Sequence, residues 1–396
     1  MKTFIKGALF VLVCFALFIV LEVFSHLILP NGKLGTLESI FNITEEDPVL
    51  FWRQRAHLKT EFQGVKVMTN SLGLRNKEIS IAKPKGIFRV ICLGASPTFG
   101  WGVSVDKTYP FLLEQRLKEA KQRFEDIEVI NAGQIGYSSH QGLIFFEQYM
   151  MKYSPDLIVV SYVLNDIDRY RFFRNEGVMD KELKTSRFSA ITIRLKRLLT
   201  GSRLYLVLNR AVSDLLYKNN RSMSLVLKKQ VELAKVRVSQ DCYKDNLEKF
   251  ITLCSNSGVK LIFVKMPINL SLPSGLSDSK TFQEGLYGLS RLHYTLGCQY
   301  LDKKDYVSSF EFFKKAKDYL VFECQRDGKV YQDLMEAVAI KNNVPLVDAA
   351  KVFSENARYG ELFNGKLDPT HPNPAGQRLI AESVYEIILR YDLLKS

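Results

Sequence analysis

The chain has 396 residues, of which 46% are hydrophobic, and carries 55 Lys or Arg against 42 Asp or Glu. This apolar content is enough for a full core, so a disordered protein is excluded, and the length fits one large domain with insertions or two domains. The six cysteines are widely spaced, with no Cys-x-x-Cys pair and no histidines at the spacing of a zinc site. We therefore expect neither a metal nor a cofactor.

The amino terminus predicts a signal anchor over residues 1–30. Residues 7–20 are an uninterrupted run of small and apolar side chains behind Lys2 and Lys6, and apolar residues resume beyond Glu22 as far as residue 29. A helix over 7–29 would extend roughly 34 Å, enough for the ~30 Å hydrocarbon core. Because no small-x-small cleavage site follows, the segment is predicted to stay uncleaved. The preceding lysines favour an inside amino terminus, which places the rest of the chain in the periplasm or outside the cell.

Alternating strand and helix patterns then predict an α/β fold. Residues 31–86 form a connector with a hairpin or edge strand near 65–75, and buried strands are predicted at 88–93, 127–130, 157–163, 259–265 and 344–347. Helical patterns follow at 110–124, 139–152 and 377–391. Five apolar strands alternating with helices predict a three-layer α/β/α domain over 87–396, with a parallel sheet covered on both faces.

Two helical insertions interrupt this alternation. The first, 169–240, has 17 Lys or Arg against 5 Asp or Glu between Arg169 and Arg237, interleaved with apolar residues. This pattern is typical of a basic helix beside a membrane or an anionic polymer, and equally of the solvated face of a helical cap. Nucleic-acid binding is not expected, because no recognised motif accompanies the charge.

The second insertion, 280–342, contains one unit with the spacing of a tetratricopeptide repeat over residues 292–320. A repeat array needs about three units to bury its faces. The insertion is therefore predicted to be a helical hairpin packed on the sheet domain, with binding of a partner peptide as the alternative.

Residue types that are common in catalytic sites follow the predicted strands. Ser96 comes after the first strand and before a helix, Gly133 after the second and Asn165 after the third. Open α/β sheets place ligands and nucleophiles at the edge where the carboxyl ends of the strands lie. Far downstream, Asp368 and His371 lie three residues apart on a proline-rich loop. A serine hydroxyl needs a neighbouring base, an imidazole is such a base near neutral pH, and a carboxylate selects its tautomer.

These four blocks, in this order, resemble the SGNH (GDSL-like) hydrolase superfamily of serine esterases, named for its Ser, Gly, Asn and His. The resemblance covers residues 87–396 outside the two insertions. It implies a flavodoxin-like fold with five parallel strands, and a catalytic triad of Ser96, Asp368 and His371. It also implies an oxyanion hole made by the N–H groups of Ser96 and Gly133 and the Asn165 side chain.

The sequence departs from that family at Ala95, where the family usually has an Asp before the serine. That acid lies outside the triad, so hydrolysis is still expected, while substrate preference and rate stay open. The leading hypothesis is hydrolysis of a carboxylic ester. The expected substrate is an O-acetyl group on an envelope or extracellular polysaccharide, which is inferred from the predicted location and by analogy with the family. The alternatives are O-acyl transfer with the same triad, and a non-catalytic envelope scaffold that binds polymer or protein.

Other polar residues of the core are interpreted as structural. His140 is predicted to begin the helix after Gly133, and Asp166 and Asp348 are interpreted as loop or helix-cap acids.

Overall fold

Two antiparallel hairpins precede the central sheet. They are β1 (Thr44–Asp47) with β2 (Phe51–Gln54), and β3 (Lys59–Phe62) with β4 (Val65–Met68). The computed structural model describes residues 13, 16–24, 40, 42–120, 124–168, 178–183, 204, 235–270, 306–364 and 368–395. The strand predicted near 65–75 is the second strand of the β3–β4 hairpin.

The central sheet has five parallel strands. They are β5 (Ile87–Gly94), β6 (Asp126–Gly133), β7 (Leu157–Ser161), β8 (Lys260–Val264) and β9 (Leu346–Val347), in the spatial order β6-β5-β7-β8-β9. The predicted α/β class with a five-stranded parallel sheet is confirmed. The strands were recognisable because they are buried on both faces and therefore apolar at consecutive positions, as in β7, where all five residues are buried.

Helices cover both faces of this sheet. Alternate residues of β5 separate two cores, with Ile91 and Leu93 in one and Val90 and Cys92 in the other. The described helices are α1 (Ser96–Phe99), α2 (Tyr109–Glu119), α3 (Ser139–Phe145), α4 (Leu164–Ile167), α5 (Gln240–Asn256), α6 (Tyr306–Lys341), α7 (Ala349–Ser354) and α8 (Pro374–Arg390). The first core is closed by α3, α5 and α6, and the second by α2, α7 and α8. The three layers follow from this arrangement.

The carboxyl ends of the three strands β5, β6 and β7 meet at one edge of the sheet. Gly94 at the end of β5 is in register with Gly133 on one side and Ser161 on the other. The segments that follow these strands therefore leave the sheet side by side. A third, smaller core packs Phe62 and Val67 of the β3–β4 hairpin against this edge.

Most of the two predicted insertions and of the predicted anchor lies outside the described residues. Of the first insertion, 178–183, 204 and 235–240 are described. Of the second, the residues from 306 onward form α6, a single helix of 36 residues, and the first half of the predicted hairpin lies outside the described part. Of the anchor, residue 13 and a helical stretch at 16–24 are described. Within the described ranges, no helix combines the length and apolarity needed to cross a bilayer.

Candidate active site

Ser96 is the first residue of α1, at the carboxyl end of β5. Its N–H belongs to the first helical turn and donates to no acceptor in the described part of the chain. The helix is fixed from two sides, because Gln377 Nε2 donates to Pro97 O (2.9 Å) and Thr98 Oγ1 lies 2.9 Å from Ser161 Oγ. Ser96 is 9% exposed, so only a small part of this residue is accessible to solvent.

The structure brings Ser96, His371 and Asp368 into one hydrogen-bonded chain. Ser96 Oγ lies 2.9 Å from His371 Nε2, and His371 Nδ1 lies 2.9 Å from Asp368 Oδ2 and 3.0 Å from Oδ1. An ionised carboxylate only accepts hydrogen bonds, so Nδ1 carries the imidazole proton and Nε2 is left as an acceptor for the serine hydroxyl. The His371 and Asp368 side chains are 19% and 15% exposed, so both are partly accessible to solvent.

The environment of Asp368 favours its ionised form. Burial acts to raise the pKa of Asp368, but the charge and hydrogen bond of His371 and the N–H groups of Thr370 and His371 outweigh it and hold the pKa below its ordinary value. Both N–H groups donate to Oδ1 at 2.9 Å. Asn269 fixes the same loop, with its N–H on Pro369 O (2.8 Å) and its Nδ2 on Asp368 O (3.2 Å). Asn269 could not be identified from the sequence, because it lies 99 residues from its partner.

Trp101 packs on the imidazole of His371. The two rings are stacked, with centroids 4.8 Å apart and planes 14° from parallel. Phe62 of the β3–β4 hairpin contacts the indole edge to face, at 4.8 Å and 83°. The side-chain amide of Asn364 donates to Trp101 O. The hairpin therefore supports the imidazole from outside the sheet domain, an arrangement for which the sequence held no signal.

Arg75 fixes the turn between α1 and Trp101. Its guanidinium donates to four carbonyl oxygens, those of Phe99 (3.1 Å), Gly100 (2.8 Å), Val103 (2.8 Å) and Lys66 (3.4 Å). Burial lowers the pKa of Arg75 to about 10, against the opposing charge of Asp106, so the side chain stays cationic near neutral pH. A cation surrounded by carbonyl oxygens holds the loop in one conformation.

Gly133 does not offer a free N–H. Its amide donates to Asn131 Oδ1 at 3.0 Å, in contrast to the oxyanion role implied by the sequence. The absence of a side chain has a packing reason, because a Cβ there would lie 2.3 Å from Phe99 N and 2.7 Å from Thr98 C. Gly133 therefore lets β6 approach the backbone of α1.

Asn165 lies beside the loop that follows β6, and its Nδ2 donates to Tyr137 O at 3.1 Å. The second hydrogen of that amide has no acceptor among the described residues. The neighbouring Gly136 is buried with φ +76°, and its N–H donates to no acceptor among the described residues. Buried amides without a partner are rare, so this N–H is available to a ligand. The sequence-based prediction named Gly133, at the end of the strand, and did not consider Gly136.

The other core residues singled out in the sequence have structural contacts. Asp348 caps α7 by accepting from Lys351 N (2.9 Å), and Asp166 accepts from Ser139 N (2.9 Å) at the start of α3. His140 is the second residue of α3. In the described ranges, no group of His, Cys, Asp or Glu is arranged to hold a metal ion.

Comparisons with known proteins found no matching protein-family model and no matching curated protein. The chain is similar to several solved structures. One is the lipase/acylhydrolase from Enterococcus faecalis, at 14% identity and a TM-score of 0.39, covering 77% of this chain and 96% of that one. Others are a member of the lipolytic protein G-D-S-L family from Veillonella parvula (15%, 0.38, 76% and 99%) and an acetyl xylan esterase from Geobacillus stearothermophilus (12%, 0.40, 76% and 96%). At identities and TM-scores this low, these similarities do not identify the function of this chain.

Proposed function

We propose that this protein is a serine esterase with Ser96 as nucleophile, His371 as general base and Asp368 as the acid that orients the imidazole. The observation that carries the proposal is the chain of hydrogen bonds from Ser96 Oγ to His371 Nε2 (2.9 Å) and from Nδ1 to Asp368 Oδ2 (2.9 Å). Hydroxyl, imidazole and carboxylate stand in the order that a proton transfer from serine requires.

In the proposed reaction Ser96 Oγ attacks the acyl carbonyl carbon while its proton passes to His371 Nε2. The imidazolium is stabilised by Asp368 and then protonates the leaving alcohol, which gives an acyl-serine. Water attacks this ester with His371 again as base, and the carboxylic acid and free Ser96 are released.

The oxyanion of the tetrahedral intermediate needs donors near Ser96. We propose the N–H of Ser96, the free hydrogen of Asn165 Nδ2 and the N–H of Gly136, which replaces Gly133 in this role. Gly133 is set aside because Asn131 accepts its amide, whereas the amides of Ser96 and Gly136 have no acceptor in the described chain. One such donor is typically worth ~10²–10³ in rate.

The proposed substrate is an O-acetyl ester on an envelope or extracellular polysaccharide. Its support is sequence-based: the predicted anchor would hold the domain at the outer face of a membrane, and the basic first insertion could attract an anionic polymer or lipid surface. O-acyl transfer uses the same triad and differs only in the acceptor, so a sugar hydroxyl would then compete with water for the acyl-serine. Product analysis with and without added saccharide separates the two reactions.

The triad is tested by Ser96→Ala in a p-nitrophenyl acetate assay combined with labelling by a fluorophosphonate. We expect loss of labelling and a fall in turnover of ~10³-fold or more, because triad members act as a unit. His371→Ala should be nearly as severe, and Asp368→Asn comparable or milder.

The matched control is Ser80→Ala, since Ser80 is exposed and, within the described ranges, its hydroxyl bonds only to Ala82 O (2.8 Å). This variant should be labelled like the parent. Labelling of Ser96→Ala at the parental level would refute the assignment of the nucleophile.

A further inference from the structure

A buried ion pair lies at the root of the first insertion. Arg237 Nη2 lies 3.1 Å from Asp180 Oδ2, and the two side chains are 2% and 0% exposed. Arg237 Nε adds contacts of 3.3 and 3.4 Å to the two carboxylate oxygens. Removing two charges from water is so unfavourable that such a pair is weak evidence for stability. The other contacts of the Arg237–Asp180 pair indicate that it positions the neighbouring backbone.

The pair stands where the insertion leaves and rejoins the sheet domain. Arg237 N donates to Asp168 O (2.8 Å), and Asp180 N donates to Arg237 O (2.7 Å). Val238 N donates to Asp166 O (3.0 Å). The outgoing and returning segments are thus joined directly after α4, the helix that carries Asn165.

Both members of the pair also contact the loop that follows β6. Arg237 Nη1 donates to Gly136 O at 2.8 Å, and Ser138 Oγ donates to Asp180 Oδ2 at 2.6 Å. Arg237 Nη2 donates in addition to Gln141 Oε1 of α3. The Arg237–Asp180 pair therefore holds the loop through the carbonyl of Gly136 and the hydroxyl of Ser138.

Trp52 of β2 contacts both Arg237 and the preceding residue of the loop, Ile135. Arg237 lies over its indole ring, 5.2 Å from the centroid, and Trp52 Nε1 donates to Ile135 O at 2.8 Å. In a trans peptide the N–H points away from the carbonyl oxygen. Fixing Ile135 O therefore aims the N–H of Gly136 in the opposite direction, and fixing Gly136 O locks the next peptide plane.

We propose that Arg237 and Asp180, together with Trp52, form a clamp of positioning residues that aims the Gly136 N–H at the oxyanion. This inference rests on the proposed function. The clamp acts through the loop backbone and does not touch the reacting atoms. It also makes the root of the insertion a structural part of the site, so the insertion is more than a surface addition.

The test compares Arg237→Met with a matched control, Arg89→Met. Arg89 is also fully buried in an ion pair, with Nε 2.6 Å from Glu128 Oε2, but it lies at the amino end of β5, opposite the site. We expect Arg237→Met to lower kcat for p-nitrophenyl acetate by ~10²-fold with KM changed by less than about threefold, because an oxyanion donor acts in the transition state. Hydrogen exchange of the amides at 135–138 should be faster in Arg237→Met and unchanged in Arg89→Met.

A second variant guards against misfolding of the first. Trp52→Phe keeps an aromatic ring but removes the donor to Ile135 O, and it should lower kcat roughly tenfold with the same exchange signature. The clamp is overturned if a folded variant of either kind keeps parental kcat, or if Arg89→Met lowers kcat equally. A parent without Ser96-dependent turnover would instead remove the proposed function, and the catalytic role of the clamp with it.

Discussion

The stack of Trp101 on His371 gives a direct test of how the imidazole is oriented. Trp101→Ala removes the ring that lies 4.8 Å from the imidazole and the edge-to-face contact with Phe62. Trp101→Phe keeps an aromatic face at the same position. The two variants therefore separate the presence of a stacking surface from the identity of the side chain.

The size of the effect follows from the energy of an aromatic pair, ~0.5–1.5 kcal/mol beyond its area burial. If the stack is what holds His371 in line with Ser96, its loss lowers kcat roughly 2- to 12-fold, since ~1.4 kcal/mol is tenfold in rate. The free energy of unfolding should fall by about 1–3 kcal/mol, because Trp101 is half-buried and loses two ring contacts.

The assay is steady-state hydrolysis of p-nitrophenyl acetate, with kcat and KM determined separately and unfolding followed by urea denaturation. Phe62→Leu is the control, because it loses the outer contact while the indole remains on His371. It should lower stability with a smaller effect on kcat than Trp101→Ala, and Trp101→Phe should recover most of the rate. Parental kcat in a folded Trp101→Ala variant would refute the reasoning.

Three further outcomes are expected. Burial raises the pKa of Asp166 to about 7 despite the opposing hydrogen bonds of Ser139, so the folded state keeps a proton that the unfolded state loses near pH 4. The free energy of unfolding should therefore fall as the pH rises from about 4 to 7, by on the order of 4 kcal/mol at most. Asp166→Asn should reduce this pH dependence in urea titrations. An unchanged pH dependence would contradict the raised pKa of Asp166. Amino-terminal sequencing of membrane fractions should recover the uncleaved full chain, and a mature chain that begins after about residue 20 would indicate a signal peptide instead. Four basic residues of the first insertion can be replaced by Gln together, namely Arg194, Lys196, Arg197 and Arg203. This variant should show weaker salt-sensitive binding to anionic vesicles and unchanged turnover of a small neutral ester. Binding equal to that of the parent at low salt would refute the basic insertion as a docking segment.

Short-range patterns predicted the elements that carry the site. A strand buried on both faces is mostly apolar, as β5 is apart from Arg89, so its end and the following Ser96 could be placed from the sequence. Asp368 and His371 are three residues apart and share one loop, which makes their pairing a local property. Gly133 and Gly136 could not be told apart from the sequence, because only tertiary contacts distinguish them: the Gly133 amide donates to Asn131 Oδ1, whereas the Gly136 amide has no acceptor among the described residues.

The sequence by itself determined the α/β class, the approximate positions of the strands and the residue types of the candidate site, because strand and helix periodicity are set by neighbouring positions. The tertiary structure decided which distant groups meet. Ser96 and His371 are 275 residues apart, and Arg237 reaches Gly136 across 101 residues. Such contacts depend on how crossovers and hairpins pack around the sheet edge, and no local pattern encodes that packing. The supports of the site, Trp101, Asn269 and the clamp, therefore became visible only once the chain was folded.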